Sequence, residues 1–225
     1  MHCKLTNCIC DRKDMCKEKM NVLFLPDKVC LIILVYIIML NEISPKTGNI
    51  LIAEPFMLDN QFKRSVILLV NNSEEGDLGY IINYTSDLLI KDVLEDCPNS
   101  CLPILYGGPA ETDMFNFIHC CPDKIPGGVA IGNGLFWGGD FKIMISQINS
   151  LSVNGEEISF FMGYTGWGPQ QLAAEVEANE WIVSDNFNPA IIFDDSGTDP
   201  WKECILNMGE KYAHIVNFPE NPKLN

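Results

Sequence analysis

The stretch ISFFMGYTGWGPQQLAAEVEAN, residues 158–179, decides the fold. Its first five residues, Ile158 to Met162, form a short apolar run of the kind that is buried as a strand. Past Gly168 the pattern changes. Pro169 suits a first helical position, where its missing N–H would have had no partner, and Leu172, Ala173 and Val176 then fall on one face. The spacing predicts a helix over Gln170 to Asn179, with Gly168 at its cap and Trp181 packed beyond its end. A strand feeding an amphipathic helix is a building unit of α/β and α+β domains.

Upstream, Asn49 to Ala53 and Val66 to Val70 read as buried strands. Gly76 and Gly79 bracket a turn before Tyr80 to Asn83, which pairs the second and third strands as a hairpin. Leu88, Leu89, Val93 and Leu94 recur at helical spacing after Asp87 and predict a short helix that ends at Cys97 and Pro98. Ile104 to Tyr106 is a strand that stops at Gly107, Gly108 and Pro109, and Phe115 to His119 is another. Gly127 to Trp137 follows neither period. Asp140 caps a helix through about Ile148. Ala190 to Phe193 reads as a strand. Asp199 with Pro200 opens a last helix through Leu206, ending near Gly209, and a polar tail starts at Asn217. With no repeat and no linker, the expectation is one α/β (α+β) domain over residues 39–225: a mixed, largely antiparallel sheet or flattened barrel flanked by helices.

Residues 1–38 read as a leader or translated upstream sequence, with Met39 as an internal start. The apolar run Val29 to Leu40 spans twelve residues, short of the roughly 20 that a membrane helix needs. Asn41, Glu42 and Ile43 stand where an export signal would carry small residues. A cytoplasmic protein without stable membrane insertion is expected. Five of the ten cysteines lie in the first thirty residues. The other five, Cys97, Cys101, Cys120, Cys121 and Cys204, are too few and too scattered for a disulfide framework and read as reduced thiols.

The formal charge is −15, and residues 1–39 hold six Lys or Arg against four Asp or Glu, which leaves −17 on residues 40–225. Neutralising phosphates needs a basic face, so direct binding to nucleic acid is excluded. Walker-type loops, nucleophile elbows and paired-histidine zinc helices are absent from the sequence.

Several residues have both an ordinary and a functional reading. Gly107 and Gly108 make a tight turn or present amides to an anion. His119 is a structural histidine at a strand end or a general base oriented by Glu111 or Asp113. Arg64, the one arginine of the main body, bridges carboxylates or holds an anion in its planar fork. Gln171, Glu175 and Asn179 form a polar stripe that is solvated helix surface or, with Trp167 at its edge, a partner surface. Asp194, Asp195 and Asp199 lack the alternation of a calcium loop and read as turn and cap residues. Cys120 and Cys121 offer a weaker thiol-redox reading.

Taken in order, Ala53-x-Pro55, Phe62-x-Arg64-Ser65-Val66, Gly76-x-x-Gly79-x-x-x-Asn83, Gly107-Gly108-Pro109, His119, Gly163-Tyr164-x-Gly166-Trp167 and Gln171-Leu172-x-x-Glu175 resemble the YqgE/AlgH family of bacterial proteins over residues 48 to 216. The resemblance implies an α/β domain of unsettled biochemistry, with some members linked to regulation of exopolysaccharide synthesis and no established enzyme chemistry. The chain departs from the family at Asn71 and Asn72, where a histidine is common, at Tyr84 and Thr85, in place of a basic residue and proline, and at Gln170, in place of glycine.

These readings favour a non-enzymatic cytosolic regulatory or protein-interaction domain that acts through a protein partner, with any effect on transcription indirect. The alternative is a small-anion (phosphorylated metabolite) binder or hydrolase-like enzyme built on Arg64, the Gly107 and Gly108 turn and His119. The candidate binding residues are Arg64, Asn83, Gly107, Gly108, His119, Trp167, Gln171 and Glu175. None is given a catalytic or metal-ligating role, and no cofactor is expected.

Overall fold

The computed structural model describes residues 43–193 and 197–218. Outside them lie the leader at residues 1–38, the expected domain start at 39, Asp194 and Asp195, and the tail beyond Phe218. The described strands are β1 (Ile50–Ala53), β2 (Val66–Ser73), β3 (Gly76–Ile81), β4 (Thr85–Leu89), β5 (Pro103–Tyr106), β6 (Ala110–His119), β7 (Val129–Gly132), β8 (Leu135–Trp137), β9 (Ile158–Trp167) and β10 (Trp181–Ser184). The helices are the single turn α1 (Ile90–Val93), α2 (Phe141–Asn149), α3 (Gln171–Glu177) and α4 (Pro200–Asn207), with 3-10 stretches at Pro189–Ile192 and Glu210–Asn217.

Strand β9 is the spine of a single domain. One edge pairs antiparallel with β3 near Trp167 and parallel with β5 near Phe161, while the other edge carries β6. The sheet order is β10-β1-β2-β3-β9-β6-β8-β7, with β4 attached through β5. It is an open, mixed sheet, so the flattened-barrel form of the expectation does not occur, and β5 with β9 is the parallel pair.

Strands β1 and β10, the first half of β2 and most of β9 are buried without strict alternation because both faces are covered there. On β1, Ile50 and Ile52 face one cluster and Leu51 and Ala53 the other. The first cluster joins Leu68, Phe161 and Ile182 to Trp201 and Ile205 of α4 and to Tyr212 and Ile215. On the opposite face, α3 covers one half of the sheet through Leu172 and Val176, and α2 covers the other through Met144 and Ile148. Full burial of such side chains stabilises by about 1.5–3 kcal/mol each, so these three clusters hold the domain together.

Several boundaries differ from the sequence reading. The helix expected after Asp87 is instead β4 followed by one turn, because Thr85 and Leu89 pair with Leu105 and Pro103. The strand expected over Ala190 to Phe193 is a 3-10 turn, since Pro189 has no N–H for a ladder and Asn188 Oδ1 accepts from the Ala190 N–H at 3.1 Å. Gly127 to Trp137 is the β7–β8 hairpin, turned by Asn133 and Gly134 with φ 53° and 75°, the pairing that a type I′ turn requires. Asp140 and Asp199 cap α2 and α4 as expected, accepting from the Ile143 and Lys202 N–H groups at 3.0 and 3.3 Å.

Helix α3 starts at Gln171, two residues later than Pro169 suggested, and Gln170 takes a left-handed N-cap conformation with φ 61°. A side chain there is strained, which accounts for the glycine that the family resemblance implies. Gln170→Gly is expected to raise stability by about 0.5–1 kcal/mol, the relief of strain being partly offset by a freer unfolded chain. The urea midpoint of the variant checks it.

Candidate functional site

The end of β9, the start of α3 and the start of β10 meet at one carboxylate. Trp167, Gln171 and Glu175 follow each other in steps of four residues, and Trp181 returns opposite them as β10 begins. Glu175 Oε2 accepts a hydrogen bond from the indole N–H of both Trp167 and Trp181, each at 2.8 Å, and Oε1 accepts from Gln171 Nε2 at 2.8 Å. Gln171 Oε1 in turn accepts from the Gly168 N–H at 3.0 Å. The two indoles are nearly perpendicular, with centroids 6.0 Å apart, and Phe62 meets Trp181 edge-on at 5.7 Å. Trp167 is only 6% exposed and Trp181 2%, so their N–H groups need an acceptor inside the protein.

This carboxylate borders a shallow cleft of about 140 Å³, closed on its far side by Met57, Asp59 and Phe62 from the loop between β1 and β2 and by Glu180 at the end of the α3–β10 turn. The expected polar stripe is therefore divided. Gln171 and Glu175 join the cleft with Trp167, while Asn179 lies past α3 in a left-handed conformation, its amide 3.5 Å from the Glu177 carbonyl oxygen.

The other candidates lie elsewhere. Asn83 staples the loop to β2, its Oδ1 accepting from the Val66 N–H at 2.8 Å and its Nδ2 donating to the Arg64 carbonyl at 2.7 Å. The Arg64 guanidinium lies 3.9 Å above the Trp201 ring and donates to the Phe218 carbonyl. Gly107 and Gly108 lie where the β5–β6 turn runs against β9, and a Cβ on Gly108 would stand 2.3 Å from the Tyr164 carbonyl carbon. His119 is fully buried, with Nε2 3.0 Å from the Gly138 carbonyl, Nδ1 accepting from the Cys121 N–H at 3.3 Å, and its ring stacked on Phe136. Those partners assign the neutral tautomer with hydrogen on Nε2. Burial lowers its pKa below the ordinary 6.5, and the Gly138 hydrogen bond opposes that only in part. Glu111 pairs with the Tyr164 hydroxyl at 3.2 Å. In their described contacts Arg64, Gly108 and His119 share no neighbour, and none of the three lines the cleft.

Burial and Glu157 push both the Cys120 and Cys121 thiols up, Cys121 to about 11, which leaves little reactive thiolate at neutral pH. Among the described residues no group of three or more His, Cys, Asp or Glu is arranged to hold a metal ion, and no helix is long and apolar enough to cross a membrane.

Sequence reasoning found three members of the cleft and missed the others, among them Asp59, Phe62, Glu180 and Trp181. The aromatic and β-branched run Trp181 to Val183 was a readable strand signal for the last of these. Nothing in the sequence indicated that a loop more than a hundred residues upstream would face it.

A sequence model of the AlgH-like family matches residues 50–213. A UPF0301 protein of Bacteroides thetaiotaomicron is 37% identical over 186 residues, 82% of this chain and 94% of its own length. One from Chlorobium limicola is 35% identical over 188 residues, covering 83% of this chain and all of the relative. The solution structure of the AlgH protein from Pseudomonas aeruginosa superposes with a TM-score of 0.61 at 27% identity, over 78% of this chain and 96% of that one. A protein of Corynebacterium diphtheriae shares the fold, with a TM-score of 0.64 at 21% identity over 77% and 92%. The chain belongs to the AlgH-like family.

Two outcomes follow from this geometry. Glu175→Ala, which strips both indoles of their acceptor, is expected to cost about 1–3 kcal/mol, and Glu175→Gln less, since one amide oxygen still serves the indoles. Denaturant titrations read by tryptophan fluorescence measure both. For His119 the folded pKa is depressed, so its contribution to stability is complete above the unfolded value of 6.5 and is lost as pH falls from there towards the folded value. The unfolding midpoint should drop over that acid window, and the drop should be smaller in His119→Asn, as thermal melts across the window would record.

Proposed function

We propose that this chain is a non-enzymatic regulatory domain of the cytoplasm, working through a protein partner that docks at the cleft beside Glu175. One observation carries the reading. The polar groups of the Trp167, Gln171, Glu175 and Trp181 cluster are satisfied by one another, which makes a rigid recognition surface with no nucleophile and base in contact. The one hydroxyl in the lining, that of Thr165, is buried and turned towards the Gly107 carbonyl at 3.5 Å. Leu58, 78% exposed, stands in sequence between the lining residues Met57 and Asp59 and is available for apolar contact with a docked partner. With so few cations on the chain, influence on transcription, including the exopolysaccharide regulation that the family resemblance implies, runs through the partner and not through DNA.

A photo-crosslinking residue at Leu58 tests this in the native host, with Leu151, exposed beyond α2, as the control position. The expected outcome is a discrete protein adduct from Leu58 that Leu151 does not form and that Asp59→Asn with Glu180→Gln abolishes. Equal labelling from both positions, or none from Leu58, would defeat the proposal. Inorganic phosphate and nucleotides are expected to leave the melting midpoint unchanged, whereas a bound anion at a hundredfold excess would add about 2.7 kcal/mol.

A further inference from the structure

We infer that the cleft receives an arginine side chain from a basic segment of the partner, an inference that rests on the interaction reading above and names the chemistry recognised. The lining combines two kinds of group that stabilise an organic cation. Asp59, Glu175 and Glu180 are three acidic residues among those lining the cleft, and the partly exposed Phe62 offers an aromatic ring beside the edges of the buried Trp167 and Trp181. No lysine or arginine is among the lining residues. Glu175 is held by three neutral N–H donors, which orient a carboxylate but leave its charge for a cation to meet.

The type of cation follows from spacing and size. The acids are not gathered into a metal-binding group, so a delocalised cation that reaches several of them suits the cleft better than a point charge. A guanidinium is planar, has five donors in a fork, is weakly hydrated and stacks on aromatic rings, which favours it over an ammonium. A cleft of about 140 Å³ is well below the roughly 300–1,000 Å³ of small-molecule sites and admits one side-chain head. Exposed Leu58 is the chain neighbour of the lining residues Met57 and Asp59 and is available to the residue next to the arginine. The formal charge of −15 attracts a basic segment from beyond contact range.

The chain has four tryptophans, Trp137, Trp167, Trp181 and Trp201, so the indole N–H signals of the 15N-labelled full chain report the site with two internal controls. The probe is a capped peptide with one arginine between two leucines, compared with its citrulline and lysine counterparts and with N-acetyl-arginine amide. The arginine peptide is expected to shift the Trp167 and Trp181 signals and leave those of Trp137 and Trp201 in place. It should bind at least about tenfold more tightly than the citrulline peptide or the free amide, and more tightly than the lysine peptide. Asp59→Asn with Glu180→Gln should weaken it at least about tenfold without moving the melting midpoint; the asparagine retains the oxygen that accepts from the Gln61 N–H.

Equal binding of the citrulline peptide would overturn the role of charge. Equal binding of the free amide would make this a small-molecule cation site, and no indole shift at millimolar peptide would remove the site altogether. If Leu58 still crosslinks a partner while the arginine peptide fails, arginine recognition falls and the interaction surface stands; if both fail, both readings fall.

Discussion

Everything in this domain is arranged around the commitment of both edges of β9. Its ten residues take β3 and β5 in succession along one edge and β6 along the other, so the strand joins the half of the sheet under α3 to the half under α2. A strand so placed has its backbone groups in ladders on both sides and its side chains buried on both faces, which fixes its register. The close passage of the β5–β6 turn across it explains the small residues there. A Cβ on Gly163 would stand 2.4 Å from the Gly108 carbonyl oxygen, and Gly163 itself has φ 70°.

From the end of that strand the candidate site follows. Trp167 is the last residue of β9, and its buried indole N–H, like that of Trp181, has to find an acceptor. Glu175 supplies one oxygen to both, so a single carboxylate fixes the angle at which α3 leaves β9 and β10 returns to β1. A group that the fold requires thereby becomes a charged wall of the cleft. Three of the basic residues are engaged elsewhere: Arg64 over Trp201, Lys124 with Glu157 at 2.6 Å, and Lys202 with Asp199 at 3.2 Å. The cleft keeps its negative field for whatever approaches it.

The sequence was legible where one local rule governed the backbone. The aspartate caps of α2 and α4 and the central apolar strands stand as read, and β2 and β3 do pair as a hairpin, but its turn is at Glu74 and Glu75, with Gly76 and Gly79 inside β3. It misled where tertiary pairing overrode local spacing. Leu88 and Leu89 have helical company in Val93 and Leu94, yet pairing with β5 draws them into a strand. Asn133-Gly134 was a hairpin signal present in the sequence and not used. The candidate site divides in the same way. The four-residue spacing placed Gln171 and Glu175 on one stripe with Trp167 at its edge but wrongly kept Asn179 with them, while His119, Arg64 and the Gly107–Gly108 turn, neighbours in no local sense, proved to have separate surroundings.

By itself the sequence determined the acidity of the chain, the mixed α/β class, the family and the alignment of Gln171 and Glu175 on one helix face with Trp167 at its edge. Those properties depend on composition, on short-range periodicity and on ordered motifs, all of which are written along the chain. Only the tertiary structure decided that Trp181 would share the Glu175 carboxylate, that Asp59 and Phe62 would face them, and that the histidine would be sealed in the core. The reason is that hydrogen bonding and burial act between whatever side chains the sheet order brings within about 3–4 Å. With β10 beside β1, and β9 between β3 and β6, that order does not follow the order of the chain.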